Sequence, residues 1–110
     1  MIDALLIDLD GTIFEKNKIL PRIKETIQWI QKKSIPFKFC TNNSRQNRND
    51  LLIQIKKTGI NIKLENIITP SHAAIMYCKK NKINSIQLVM PDKSIYQEFY
   101  QFNITTGNPD

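Results

Sequence analysis

The stretch Leu5-Leu6-Ile7-Asp8-Leu9-Asp10-Gly11-Thr12 constrains this chain more than any other. A run of apolar residues, uniform enough for a strand buried on both faces, stops abruptly at two carboxylates, a glycine and a hydroxyl. Side chains two apart on a strand project the same way, so Asp8 and Asp10 are expected to point together. Gly11 lets the backbone turn sharply, and Thr12 adds a hydroxyl beside the pair. Two carboxylates held close repel each other, and a shared proton or a bound cation relieves them. An all-oxygen donor set favours Mg²⁺ over zinc. The plainer reading is a turn, because Asp-Gly commonly follows a strand and Asp8 can cap a turn or helix with no ligand at all. The apolarity of the strand before Asp8 favours the chemical reading, since a turn aspartate does not require it.

With 110 residues and 41% hydrophobic content, the chain suits one small domain with a core of its own. Its formal charge of +6 comes from lysines scattered along the whole length. No basic block is interleaved with stacking aromatics, so no specific nucleic-acid partner is expected, only a mild preference for anionic substrates. Cys40 and Cys78 show neither metal spacing nor a disulfide framework and read as small buried hydrophobes in a reducing compartment. The first strand begins almost at once, leaving no room for a signal peptide, and no apolar run approaches membrane-spanning length. A cytoplasmic protein without a membrane partner is the expectation.

Beyond the first motif, Ile13 to Leu20 reads as a polar-studded loop, and Pro21 is placed to open a helix at its first position. Ile23, Ile27 and Ile30 recur at helical spacing until Lys32-Lys33-Ser34, and Phe37 to Thr41 then forms a short strand. Strand, helix and strand make a right-handed βαβ unit of a parallel sheet, which brings Thr41 to the same sheet edge as Asp8. Thr41-Asn42-Asn43-Ser44 is a cluster of hydrogen-bonding side chains with a helix behind it. It reads either as a helix cap by Asn43 or Ser44, or as that cap together with a phosphate contact at the helix N-terminus. Facing the aspartate pair, the phosphate contact is the stronger reading.

The second helix carries Asp50 to Ile55 and stops at Thr58-Gly59. Arg45 and Arg48 near its start oppose the helix dipole, so they either serve an anion or lie exposed. A brief strand or turn at Asn66 to Thr69 precedes a third helix opened by Thr69-Pro70-Ser71, with Ala73, Ala74, Met76 and Tyr77 core-like and His72 a surface or packing residue. Ser85 to Met90 is another strand, closed by Pro91-Asp92, where Asp92 is either a further acidic ligand or the N-cap of a helix from Lys93 to Gln101. Phe102 to Thr106 is a last short strand before the tail Gly107 to Asp110. The alternation gives an α/β fold, a Rossmann-like and mainly parallel sheet with flanking helices.

Leu5 to Thr12, hydrophobic strand then Asp-x-Asp-Gly-Thr, closely resembles the first motif of the haloacid dehalogenase superfamily of phosphohydrolases. Thr41-Asn42-Asn43-Ser44 resembles the second motif of one branch, the NagD-like and 4-nitrophenylphosphatase-like enzymes. The resemblance implies a haloacid dehalogenase-like core and a Mg²⁺-dependent phosphoric monoester hydrolase working through an aspartyl-phosphate. It makes Asp8 the nucleophile and Asp10 the general acid and base, with Mg²⁺ held by Asp8 and the backbone carbonyl of Asp10. Thr41, Asn42 and Asn43 would hold and position the phosphoryl group and substrate. The substrate would be a phosphorylated small molecule or protein.

The family pattern continues into an inserted cap domain, then a lysine that steadies the nucleophile and a Gly-Asp acidic motif that completes the metal site. None of these occurs in this sequence, and Lys79, Lys80 and Lys82 suit the end of the third helix instead. Residues 1–110 are therefore read as the N-terminal part of such a core, ending where the family enters its cap, and slow or inactive by itself. The first strand would lie at an open edge, exposing Leu5 and Ile7 to solvent, to a strand-edge partner or to self-association. A non-catalytic binding or interaction module is the alternative. A phosphate-accepting receiver domain matches the size but lacks an acceptor aspartate after a midchain strand.

Overall fold

The computed structural model describes residues 2–16, 18–89 and 93–105. Strand β1 (Leu5–Asp8) leads into a hairpin of β2 (Phe14–Glu15) and β3 (Lys18–Ile19), followed by α1 (Ile23–Lys32) and β4 (Phe37–Cys40). Next come α2 (Arg48–Lys57), a 3₁₀ turn at Leu64–Asn66, β5 (Ile67–Ile68) and α3 (Pro70–Lys80). The last part holds β6 (Ser85–Ile86), a short α4 (Lys93–Tyr96) running into a 3₁₀ turn at Gln97–Phe99, and β7 (Asn103–Ile104).

The main sheet is parallel, in the order β1-β4-β5, so the expected strand-helix-strand unit forms and β1 takes an edge. Alternation decides which side chains enter the core. Phe37, Phe39 and Ile67 are buried with Ile27 and Ile30 of α1 and Leu51 and Ile55 of α2, whereas Lys38 and Leu6 face solvent. The first strand is therefore not buried on both faces. Its edge is open as expected, but the residue left in water is Leu6, 74% exposed, while Leu5 and Ile7 pack half-buried against the core. Among the described residues no helix covers Leu6 on its side of the sheet, and that is the physical reason for the difference.

The segment expected as a loop from Ile13 to Leu20 is a hairpin. Phe14 pairs with Ile19 and Glu15 with Lys18, an apolar pair and an opposite-charge pair across two very short strands. Leu20 still donates its N–H to the Ile13 carbonyl at 2.9 Å, so the turn that follows consumes Pro21 and Arg22. Helix α1 consequently starts at Ile23, after Arg22 in the left-handed region at φ 65, and Pro21 lies outside it. Helix α3 does begin with Thr69 as cap and Pro70 inside the first turn. Its inward face, however, carries Ser71, Ile75 and Cys78 at helical spacing, which turns Ala73, Ala74, Met76 and Tyr77 outward. Cys40 and Cys78 are free thiols and half-buried rather than core residues.

The remainder departs from the main sheet. Within the expected 85–90 strand, Ser85–Ile86 pairs in parallel with β7, making a separate two-stranded sheet. Ile95 and Phe99 are buried there, with Phe102 against Phe99 at 6.1 Å between ring centroids. The radius of gyration, 16.1 Å, exceeds the roughly 13 Å of a compact domain of this length. Met90, Pro91, Asp92 and residues 106–110, including the candidate ligand or cap at Asp92, lie outside the described residues. Among the described residues no helix is long and apolar enough to cross a membrane.

Candidate active site

The C-terminal ends of β1 and β4 lie side by side, with Asp8 in register with Cys40 and the Leu9 N–H donating to the Cys40 carbonyl at 3.2 Å. Asp8 and Asp10 are both exposed, and Leu9 between them is buried. The alternation of the strand thus persists past its last paired residue. Immediately beyond, the Leu9 carbonyl accepts N–H groups from Thr12, Ile13 and Phe14 at 3.2, 2.8 and 3.1 Å, and Gly11 donates to the Phe14 carbonyl at 2.7 Å. This tight turn holds Gly11 at φ 79. A Cβ at Gly11 would meet nothing within 4 Å, so the left-handed backbone rather than crowding is what calls for glycine.

On the neighbouring strand, the Thr41 N–H donates to the Ile68 carbonyl at 3.1 Å, fixing the start of the second motif against β5. The Thr41 hydroxyl oxygen accepts the Asn43 N–H at 3.1 Å, which leaves its own proton free to donate. Asn43 Oδ1 in turn accepts the Arg45 N–H at 2.9 Å, which leaves the Asn43 amide NH₂ as a donor. Asp10, Thr41 and Asn43 line one cavity of about 280 Å³ together with Gly11, Glu15 and Gln46. Asp8 stands at the same sheet edge and Asn42 on the exposed loop, but neither lines that cavity.

The helix behind the loop does not meet the expectation. Its cap is Asn47, neither Asn43 nor Ser44, and Asn47 Oδ1 accepts the Asp50 N–H at 2.8 Å. Glu98 Oε1 accepts the N–H of Arg48, the first helical residue, at 2.7 Å. Two of the N–H groups a phosphate would use at this helix end are thus taken by side chains of the protein, and Thr41 and Asn43 are the donors that the second motif brings to the cavity. Arg48 is neither exposed nor aimed at an anion: its Nε and Nη2 donate to the carbonyls of Ile67 and Leu64 at 2.9 and 2.8 Å. Burial lowers its pKa from the ordinary arginine value, and Glu98 opposes that shift. The asparagine cap was legible as Asn47-x-x-Asp50, whereas Glu98 carries no local signal.

His72 is half-buried in the first turn of α3. Burial chiefly lowers its pKa below 6.5, the cations Arg48, Lys38 and Lys79 push the same way, and Glu98 opposes them. The unfolded chain therefore binds this proton more readily than the folded one, so stability falls as the pH drops through 6.5 and levels off below the folded-state value. In His72→Gln the urea midpoint should lose that decline. An undiminished decline in the variant would assign it to another group.

Asp8 and Asp10 offer the hard oxygen donors that Mg²⁺ prefers. Among the described residues no group of three or more His, Cys, Asp or Glu side chains is placed to hold a metal, so a cation here would draw most of its shell from water.

Residues 5–105 match the family model of haloacid dehalogenase-like hydrolases. Among curated relatives, haloacid dehalogenase-like hydrolase domain-containing protein 2 of Rattus norvegicus is 27% identical over 89 residues, covering 81% of this chain and 34% of its own length. The 4-nitrophenylphosphatase of Schizosaccharomyces pombe is 30% identical over 78 residues, covering 71% of this chain and 26% of its own. Among solved structures, NagD from E. coli K-12 superposes with a TM-score of 0.83 at 24% identity, over 99% of this chain and 44% of that one. The chain thus spans about a third of the length of the curated relatives it matches. With the family model covering nearly every residue, and the fold matching a NagD structure, this chain belongs to the haloacid dehalogenase-like hydrolases.

Proposed function

We propose that the chain is the N-terminal part of a Mg²⁺-dependent phosphatase that works through an aspartyl-phosphate. The observation that carries this reading is the convergence of Asp10, Thr41 and Asn43 on one cavity at the sheet edge where Asp8 also stands. A 4-nitrophenylphosphatase among the relatives supports it. In the proposed reaction an Asp8 carboxylate oxygen attacks phosphorus, and the bond to the leaving oxygen breaks while Asp10 donates the proton. Water, deprotonated by Asp10, then attacks the same phosphorus and releases phosphate and free Asp8. Thr41 and Asn43 supply the donors that hold the phosphoryl oxygens, and Asn42 positions substrate from the loop. Mg²⁺ on Asp8 and the Asp10 carbonyl would offset the charge of the phosphoryl group.

Residues 1–110 contain neither the lysine nor the Gly-Asp motif of the family, so the chain itself is expected to turn over slowly or not at all. Incubated with 4-nitrophenyl phosphate and Mg²⁺, it should gain the mass of one phosphoryl group on the peptide containing Asp8, with little sustained release of nitrophenolate. Fast steady turnover would overturn the claim of incompleteness, and absence of the phosphopeptide would overturn the nucleophile assignment.

A second reading rests on the open edge of β1, where Leu6 is 74% exposed. As an interaction module, the chain would recruit a strand-edge partner or a second copy there. Size-exclusion separates the two, because a finished module should elute at a defined stoichiometry and a portion of a larger fold should aggregate.

A further inference from the structure

We infer that Lys16, at the tip of the β2–β3 hairpin, is a substrate-binding residue of this site that supplies the positive charge for an anionic phosphate ester. The inference rests on the phosphatase reading and adds a residue that neither sequence motif contains. Lys16 lines the same cavity as Asp10, Thr41 and Asn43, and among the described lining residues it is the one cation. Asp10 and Glu15 line the cavity too, so a phosphate dianion entering it would meet two carboxylates. Gln46 and Gln54 complete the polar wall but are neutral, and the Gln46 Nε2 donates to Gln54 Oε1 at 2.8 Å. Glu15 has a cross-strand counterpart in Lys18, with which it is paired in the ladder. Lys16 is thus the charge left to face the ligand.

The backbone adds an independent argument. Lys16 sits at φ 50, in the left-handed region, on a two-residue connection between short strands. Glycine, asparagine or aspartate are what such a connection ordinarily takes, because a longer side chain there carries strain. Ser34 and Lys82 have the same sign of φ just past the end of a helix, where that conformation is a common stop, and Arg22 has it at the N-cap of α1. At Lys16 the turn does not need a lysine. Its charge at the cavity gives a reason for it.

A binding role and a turn role make opposite forecasts for Lys16→Gly and Lys16→Asn, which suit the backbone but remove the charge. The chain in Mg²⁺-containing buffer is titrated with inorganic phosphate and, separately, with phosphoglycolate, following the amide signals of Gly11, Thr12, Thr41 and Asn43. Both variants should keep the melting temperature and bind about 5-fold more weakly, and Lys16→Arg should keep most of the affinity. Equal losses with the two ligands would place the charge on the phosphoryl group, and a greater loss with phosphoglycolate would place it on the leaving group. Unchanged binding in both variants would overturn the role of Lys16 and leave the phosphatase reading intact. If no site amide of the unaltered chain responds to either ligand, the inference falls together with that reading.

Discussion

Glu98→Ala should destabilise the chain by about 2–3 kcal/mol, lowering the thermal midpoint by roughly 10 °C. Glu98 Oε1 accepts the Arg48 N–H at 2.7 Å, and Oε2 accepts the Ser71 hydroxyl at 2.9 Å, whose oxygen lies 3.1 Å from that of Thr69. One carboxylate therefore joins the N-terminal turns of α2 and α3, and a negative charge there also complements both helix dipoles. Truncation leaves the first N–H of α2 without its acceptor and strips the half-buried Arg48 of the charge that opposes its burial. Glu98→Gln keeps one acceptor oxygen and should lose about 1 kcal/mol. Chemical denaturation of both variants decides the matter, and two losses that are equal and under about 0.5 kcal/mol would show that the carboxylate is not the brace. Because Arg48 directly follows the Thr41 to Asn47 loop, this contact ties the cavity to a segment 50 residues further along the chain.

Local sequence made the strands of the main sheet and the first motif legible, because both rest on short-range rules. Leu5 to Ile7 is apolar, Gly11 turns the chain, and the parallel pairing of β1 with β4 follows from a helix of suitable length between them. Consequences of long-range packing were not legible. Leu6 and Phe39 are both large apolar residues on strands of the same sheet, yet one is 74% exposed and the other fully buried, since Phe39 faces the helices and Leu6 the opposite side of the sheet at its β1 edge. In the same way α3 has apolar residues almost all round, so its composition does not say whether Met76 or Ile75 turns inward.

The site shows the same division. Thr41 and Asn43 reach the cavity because βαβ geometry carries the end of β4 to the end of β1. Helix α2 has fewer free amides to offer the loop, since Asn47 and Glu98 have taken two of them. The hairpin was hidden for another reason. Its strands are two residues each, too short for alternation to register, although Phe14 opposite Ile19 is the pair that anchors it.

Substituting the two aspartates should separate the two halves of the proposed reaction. Asp8→Asn removes the nucleophile, so neither phosphopeptide nor nitrophenolate should appear above background with 4-nitrophenyl phosphate. In Asp10→Asn the outcome depends on the leaving group. 4-Nitrophenol is acidic enough to depart as an anion, so phosphorylation of Asp8 does not need the Asp10 proton. Attack by water still requires a base, and losing it should slow dephosphorylation by about 10²–10⁴-fold. Like the unaltered chain, the variant should take one phosphoryl group from 4-nitrophenyl phosphate, but it should lose that group far more slowly once the substrate is removed, whereas an alkyl phosphate, whose alkoxide cannot leave unprotonated, should phosphorylate the unaltered chain and not the variant. Magnesium binding should survive in Asp10→Asn, because the contact assigned to residue 10 is its backbone carbonyl. Phosphorylation by both substrates alike would remove Asp10 from the proton transfer, and a phosphorylated Asp8→Asn chain would place the nucleophile elsewhere.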